Sequence, residues 1–127
     1  NANKLKPLIT SQPAPADGNV PDLSKPMVAL TFDDGPYGPV TNRILAKLEE
    51  NGGRATFFVV GNRVKTYASS VQRAVKDGCQ IGNHTYDHKS PLTKLTTVQI
   101  QKQIHDTDVA VAYYAGSAPV IARPVGA

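Results

Sequence analysis

Apolar runs alternate with helical periodicities along the chain from about residue 25 onward. Short apolar runs with the length and composition of buried strands lie at 27–32, 55–60, 79–82 and 119–122. Between them, apolar residues recur at helical spacing, and a glycine follows each stretch, at about 41–50, 67–77 and 97–115. The pattern predicts the order β-α-β-α-β-α-β, which requires a parallel sheet with right-handed crossovers.

The first 25 residues show no such period. Half of the 10 prolines fall within the first 26 residues, among serine, alanine, glutamine, aspartate and glycine. This composition is typical of linkers. We therefore expect residues 1–25 to form a proline-rich arm or linker, and residues 26–127 to belong to a folded domain.

Composition and charge narrow the class of protein further. With 127 residues, 40% of them hydrophobic and 19% charged, the chain is typical of a single globular domain and too short for two. The net charge of +4 comes from scattered basic residues without a basic run or interleaved aromatics, so we expect no nucleic-acid binding. Cys79 is the single cysteine, which excludes an internal disulfide, and we expect it to be a small buried apolar residue.

Polar side chains with catalytic potential follow three of the predicted strands. Asp33 and Asp34 come after the first strand, His84 and His88 after the third, and Arg123 after the fourth. In a parallel sheet, the residues that follow the strands collect at one edge. We therefore expect these five side chains to converge there.

These residue types favour a metal centre. Two adjacent carboxylates repel each other unless a cation or a guanidinium neutralises them. His84 and His88 are four residues apart, so both rings can bind one metal ion if the segment is helical or tightly turned. Two imidazoles and one carboxylate leave coordination positions open for water and substrate, and the second carboxylate is free to act as a base. Spacing alone leaves open whether Asp33 or Asp34 is the ligand.

Three segments of the chain resemble successive motifs of the polysaccharide deacetylases, carbohydrate esterase family 4. They are Thr31–Pro36, His84–His88 and Arg123–Gly126, and the likeness covers about residues 26–127. The resemblance implies an α/β fold, a distorted parallel β/α barrel, present here as an incomplete N-terminal portion of about four β/α units of the catalytic domain.

The resemblance also implies a role for each motif residue. Asp33 would be the general base, and Asp34, His84 and His88 would bind a divalent transition metal. Zinc is the expected ion, with cobalt, nickel or manganese as alternatives. Arg123 would orient the base.

Two further positions are candidate substrate contacts. The resemblance implies that the backbone N–H near Gly126 stabilises the oxyanion. Tyr37 directly follows the acidic turn, where its ring either lines a sugar groove or covers a loop. The chain has Val125 and Gly126 where the family often has a second proline followed by tyrosine or glycine, and a glycine still supplies the N–H.

The implied activity is the hydrolysis of acetyl groups on a polysaccharide, with N-acetylglucosamine residues of peptidoglycan or chitin as the expected substrate. An O-acetyl xylan esterase and a catalytically silent sugar-binding relative remain alternatives. A phospho-acceptor receiver domain is a third class, but the third strand is followed by His84 and His88 instead of a phosphorylatable aspartate. The implied setting is extracellular or at a bacterial cell surface.

The family motif that carries the general-acid histidine has no counterpart in this chain. About four strands cannot close a barrel. We therefore expect a second polypeptide to carry the C-terminal half of the same domain together with the general acid. His105, within the third predicted helix, is expected at the helix surface or in helix packing.

Overall fold

The structure, a computed structural model, describes residues 24–89 and 91–126, so the predicted arm lies almost wholly outside the described residues. The strands are β1 (Leu30–Gly35), β2 (Ala55–Val59) and β3 (Gln80–Asn83). The helices are α1 (Gly38–Glu50), α2 (Gly61–Val64), α3 (Ala68–Lys76) and α4 (Thr97–Ala115), with a short 3₁₀ helix at Leu92–Lys94. No helix within the described ranges is long and apolar enough to cross a membrane.

The three strands form one parallel sheet in the order β1-β2-β3. Phe32 lies opposite Phe57, and Phe57 lies opposite Ile81. The two phenylalanine rings stack with centroids 5.3 Å apart. The predicted parallel α/β arrangement is therefore confirmed, and the strands end at a common edge.

The prediction of a fourth strand at 119–122 is wrong. The segment makes one isolated parallel bridge, between Ala122 and Asn83. Two backbone hydrogen bonds hold it beside β3, from Asn83 N to Ile121 O and from Arg123 N to Asn83 O, both 2.9 Å long. Val120 is 50% and Ile121 36% exposed, so the described part of the chain covers the apolar side chains of this segment only in part. The segment nevertheless brings Arg123 to the predicted edge.

The first strand also departs from its prediction. It begins at Leu30 instead of Met27, and Leu30 is exposed where a buried strand was expected. The reason is topological, because β1 is an edge strand that pairs within the described chain only with β2. Helix α1 begins at Gly38, ahead of the predicted start near residue 41, and Thr41 accepts a hydrogen bond from Tyr37 N at 3.0 Å.

The core lies between the sheet and the helices. Its members are apolar side chains from β2, β3 and the four helices, among them Leu45, Phe57, Val59, Val71, Ile81 and Val111. On α4, Thr107 and Val111 are fully buried against the core. Cys79 is buried as expected, and burial raises the pKa of its thiol. His105 is exposed on the outer side of α4.

A glycine allows α2 to approach both α4 and the segment after β3. A Cβ atom at Gly61 would lie 2.5 Å from Thr107 Oγ1 and 2.7 Å from the ring of Tyr86. Real Cβ contacts are longer, because atoms in a well-packed interior cannot yield by this much at low cost. Gly61 therefore sets the separation between α2, α4 and the turn that carries both histidines.

Candidate active site

Three potential ligand atoms converge at the carboxyl end of the sheet. His84 Nε2 lies 3.2 Å and His88 Nε2 lies 2.8 Å from Asp34 Oδ1. The ligand atoms of the three residues all lie within 4.8 Å of one another. Both histidines belong to a tight turn after β3. Because they are four residues apart, both rings can bind one metal ion only if the segment is helical or tightly turned, and this turn meets that condition.

The hydrogen bonding of His84 prepares its ring for a metal ion. Nδ1 lies 2.8 Å from the carbonyl oxygen of Arg123. Because a carbonyl oxygen can only accept, Nδ1 carries the proton, and in the neutral ring the lone pair sits on Nε2, which faces Asp34. The ring is only 3% exposed, so its orientation is fixed. Two imidazole nitrogens and one carboxylate oxygen form a donor set that fits a divalent transition metal.

An irregularity in the sheet separates the two aspartates. The register between β1 and β2 shifts between Phe32 and Gly35, and Asp34 has a φ of 66°. A bulge of this kind redirects side chains at a strand end. The guanidinium of Arg63 donates a hydrogen bond to the Asp34 carbonyl and holds this turn. Asp34 faces the imidazoles while Asp33 faces Arg123, so the two carboxylates have different partners.

Arg123 links the two parts of the site. Its Nη1 donates to Asp33 Oδ1 at 2.8 Å and to Thr31 Oγ1 at 3.0 Å. The guanidinium carbon lies 4.2 Å from the centroid of the Phe58 ring, a cation–π contact that fixes the side chain from another direction. Its carbonyl oxygen holds His84, as described above. One residue thus orients both a carboxylate and an imidazole.

Tyr37 and Gly126 are the two remaining residues that the sequence proposes for the site. Tyr37 is 52% exposed, and its ring packs edge-to-face on Tyr67 with centroids 5.6 Å apart. These two rings line an open pocket of about 420 Å³ together with Pro36, Asn62, Arg63 and Thr66. Gly126 is exposed, has a φ of 75° and directly follows the buried Val125.

The buried side chain of Asn83 connects the end of β3 to helix α4 and to the backbone of Thr85. Its amide nitrogen donates to Ile104 O at 2.9 Å and to Asp108 Oδ1 at 2.8 Å, and its oxygen accepts from Thr85 N at 2.9 Å. Burial raises the pKa of the Asp108 carboxyl, and the Asn83 hydrogen bond opposes that shift.

Gln103 on α4 was missed by the sequence interpretation. Its Oε1 accepts hydrogen bonds from Tyr86 N at 2.9 Å and from Asp87 N at 3.1 Å. A polar residue inside a helix gives no local signal of such a contact. Gln99 and Gln101 occupy similar positions in the same stretch, so only the packing of α4 on the turn distinguishes Gln103 from them.

A protein-family model and several known proteins match this chain. The family model described as polysaccharide deacetylase matches residues 21–127, beginning inside the predicted arm. The chain is 42% identical over 103 residues to the peptidoglycan-N-acetylmuramic acid deacetylase PdaC of Bacillus subtilis, covering 81% of this chain and 22% of that protein. It is 39% identical over 114 residues to the peptidoglycan-N-acetylglucosamine deacetylase PgdA of Listeria monocytogenes, covering 87% of this chain and 24% of that protein.

A solved structure is similar over the same region. It is a family 4 acetyl xylan esterase from Clostridium thermocellum in complex with a cobalt ion, with a TM-score of 0.73 and 43% identity. The match covers 76% of this chain and 47% of the esterase chain. The chain therefore spans about a quarter of the two curated relatives and about half of this solved structure.

Proposed function

This chain belongs to the polysaccharide deacetylase family, and we propose that the full-length protein hydrolyses acetyl groups on an acetylated polysaccharide of the bacterial cell wall. One observation carries the proposal. Asp34, His84 and His88 direct their donor atoms to a common point, while Arg123 holds the adjacent Asp33 apart from them. A metal ligand set beside a separately held carboxylate suits metal-assisted hydrolysis.

In this proposal Asp34, His84 and His88 bind one divalent transition metal. Zinc is the first choice because it binds imidazole and carboxylate ligands with open positions, and cobalt, nickel and manganese are alternatives. When bound, the metal supplies Lewis acidity, which polarises the acetyl carbonyl and lowers the pKa of a water molecule. The cobalt ion in the related esterase supports a transition metal in this family.

Asp33 acts as the general base and takes a proton from the attacking water. Its hydrogen bond of 2.8 Å to Arg123 Nη1 holds the carboxylate in one orientation, which general-base catalysis requires. Arg123 is itself fixed by Thr31 and Phe58, so the base sits on a rigid support. Arg123 therefore acts through Asp33 as a positioning residue.

The backbone N–H of Gly126 stabilises the negative charge that develops on the acetyl oxygen. Backbone N–H groups in fixed turns are the usual donors for such oxyanions. Gly126 suits this role because its left-handed conformation, with a φ of 75°, is one that glycine adopts without strain.

Tyr37 contacts a sugar ring of the substrate next to the reacting one. Its half-exposed ring borders an open pocket beside the Asp34 turn, and aromatic faces stack on sugar rings. We expect Tyr37→Ala to raise KM for an acetylated oligosaccharide several-fold and to leave kcat within about twofold, since the residue would bind ground state and transition state alike. Steady-state kinetics test this, with Tyr113→Ala on the exposed side of α4 as the control. An unchanged KM would contradict the role.

The proposed substrate is an N-acetylated amino sugar of peptidoglycan, with N-acetylglucosamine first and chitin next. The two curated relatives act on peptidoglycan, and the net charge of +4 favours an anionic surface such as a cell wall. This substrate places the protein outside the cell or at its surface. An O-acetyl xylan esterase is the second candidate, favoured by the likeness to the xylan esterase structure.

Acetate release tests the proposed function directly. The full-length protein, purified together with any polypeptide that completes its catalytic domain, is loaded with zinc and incubated separately with peptidoglycan strands, chitin oligomers and acetylated xylan. We expect acetate from peptidoglycan first, and the modified sugar is identified by mass spectrometry. Acetate from xylan alone would move the assignment to the esterase, and binding of the glycans without any acetate would support the silent sugar-binding relative.

A partner polypeptide with the C-terminal half of the same domain is also proposed, with residues 26–127 as the N-terminal part. An open apolar cavity of about 750 Å³ lies along the edge strand β1 and helix α1, lined by Leu30, Phe32, Val40 and Ile44 among others. A barrel has no such edge, because further strands and helices cover it. Native mass spectrometry should find a mass above that of the denatured chain, and identical masses would contradict a separate partner.

A further inference from the structure

We propose that Gln103 of α4 is a positioning residue for the metal site, and that it acts by fixing the backbone of the turn between His84 and His88. The residue lies outside the three motifs, on a different element from every proposed ligand. This inference rests on the proposed function, because it concerns the same metal site.

The turn needs support from outside because its backbone is strained. Thr85 has a φ of 68° and His88 a φ of 56°, both in the left-handed region. Non-glycine residues adopt this conformation at a cost in free energy, and a β-branched threonine is especially unfavourable there. A turn of this kind keeps its shape only where surrounding hydrogen bonds impose it.

Two elements supply those bonds from opposite sides. Gly61 N and Asn62 N at the start of α2 donate to the carbonyls of Thr85 and Tyr86, at 2.9 and 2.8 Å. On the other side, a single oxygen, Gln103 Oε1, accepts from the amides of Tyr86 and Asp87. An amide oxygen has two lone pairs, so one side chain satisfies both donors.

The position of Gln103 on α4 makes this support rigid. Thr107 Oγ1 donates to the Gln103 carbonyl at 2.9 Å, and Thr107 is fully buried against Gly61. One residue further along, Ile104 O accepts from Asn83 at the end of β3. Helix α4 is therefore held against α2 and against the end of β3, and Gln103 connects it to the backbone between His84 and His88.

Three variants of the full-length protein test the proposal through metal affinity. Gln103→Leu removes the acceptor and keeps the apolar stem, Gln103→Glu keeps two acceptor oxygens, and Gln101→Leu is the matched control on the exposed side of the same helix. Zinc dissociation constants are measured by competition with a chromophoric chelator, and the metal-free melting temperature is recorded for each.

We expect Gln103→Leu to weaken zinc binding about 10- to 100-fold, the usual cost of losing a residue that orients metal ligands. Gln103→Glu should restore the wild-type range, and Gln101→Leu should not change it. If Gln103→Leu does not fold, Gln103→Asn replaces it, because its shorter side chain withdraws the oxygen from both amides and should give the same loss.

Wild-type affinity in Gln103→Leu would overturn the inference. So would a Gln103→Glu variant that melts like the wild type but binds zinc as weakly as Gln103→Leu, because that result would indicate packing alone. A wild-type protein that binds no divalent metal would instead overturn the proposed function, and the inference with it.

Discussion

Replacing Asp33 with asparagine should abolish nearly all acetate release and leave metal binding intact. A positioned general base contributes about 10²- to 10⁴-fold to the rate, and an amide cannot accept the proton, so kcat should fall by that factor. Asparagine keeps an oxygen that can accept from Arg123 at the position where Asp33 Oδ1 lies now. The zinc dissociation constant should therefore remain near the wild-type value.

The control for this prediction is Asp106→Asn. Asp106 pairs with Lys102 on α4, at 2.7 Å, so this change removes a carboxylate without touching the site. Full activity in Asp33→Asn would show that another group is the base. Loss of zinc from Asp33→Asn would show that Asp33 is a ligand, which contradicts the division of roles between the two aspartates.

Removing either histidine should have the other large effect. We expect His84→Ala and His88→Ala to weaken zinc binding by more than about 100-fold, since even partners that only orient ligands account for 10- to 100-fold. Acetate release should fall in parallel. His88 is the cleaner test, because its side chain is 37% exposed and its removal leaves no buried cavity.

His105→Ala is the matched control, because His105 is exposed on α4 and the same substitution there removes an imidazole away from the site. Zinc content after dialysis, measured by atomic emission, gives the readout. A His88→Ala variant that retains one equivalent of zinc would contradict the proposed ligand set.

The sequence predicted the convergence of the five polar residues because the required information is local. Each predicted strand is a short apolar run, and parallel topology alone then places Asp33, Asp34, His84, His88 and Arg123 at one edge. The geometry agrees with that expectation: Asp34 reaches both imidazoles and Arg123 reaches Asp33. Even the segment at 119–122, which is not a strand, lies beside β3 and brings Arg123 to the edge.

Features that depend on distant partners could not be predicted in this way. The exposure of β1 follows from its position at the edge of the sheet, which no local pattern reveals. The choice between Asp33 and Asp34 depends on the register shift in β1, since the alternation of side chains alone treats the two residues alike. Helix α2, from Gly61 to Val64, is too short to show a helical period.

The contacts of Gln103 could not be predicted from the sequence for the same reason. Its role depends on where α4 packs across the turn, and that packing depends on the close approach of Gly61 to Thr107. Gly61 and Thr107 are both distant in sequence from Tyr86 and Asp87, the two hydrogen-bond partners of Gln103. The spacing of residues along the chain therefore does not indicate the contact.

Anomalous X-ray diffraction at the zinc edge, from crystals of the zinc-loaded full-length protein, locates the metal ion directly. We expect one strong peak about 2.0–2.2 Å from Asp34 and from Nε2 of both His84 and His88, with Asp33 still hydrogen-bonded to Arg123. A peak bound by Asp33, or zinc located away from these residues, would contradict that expectation.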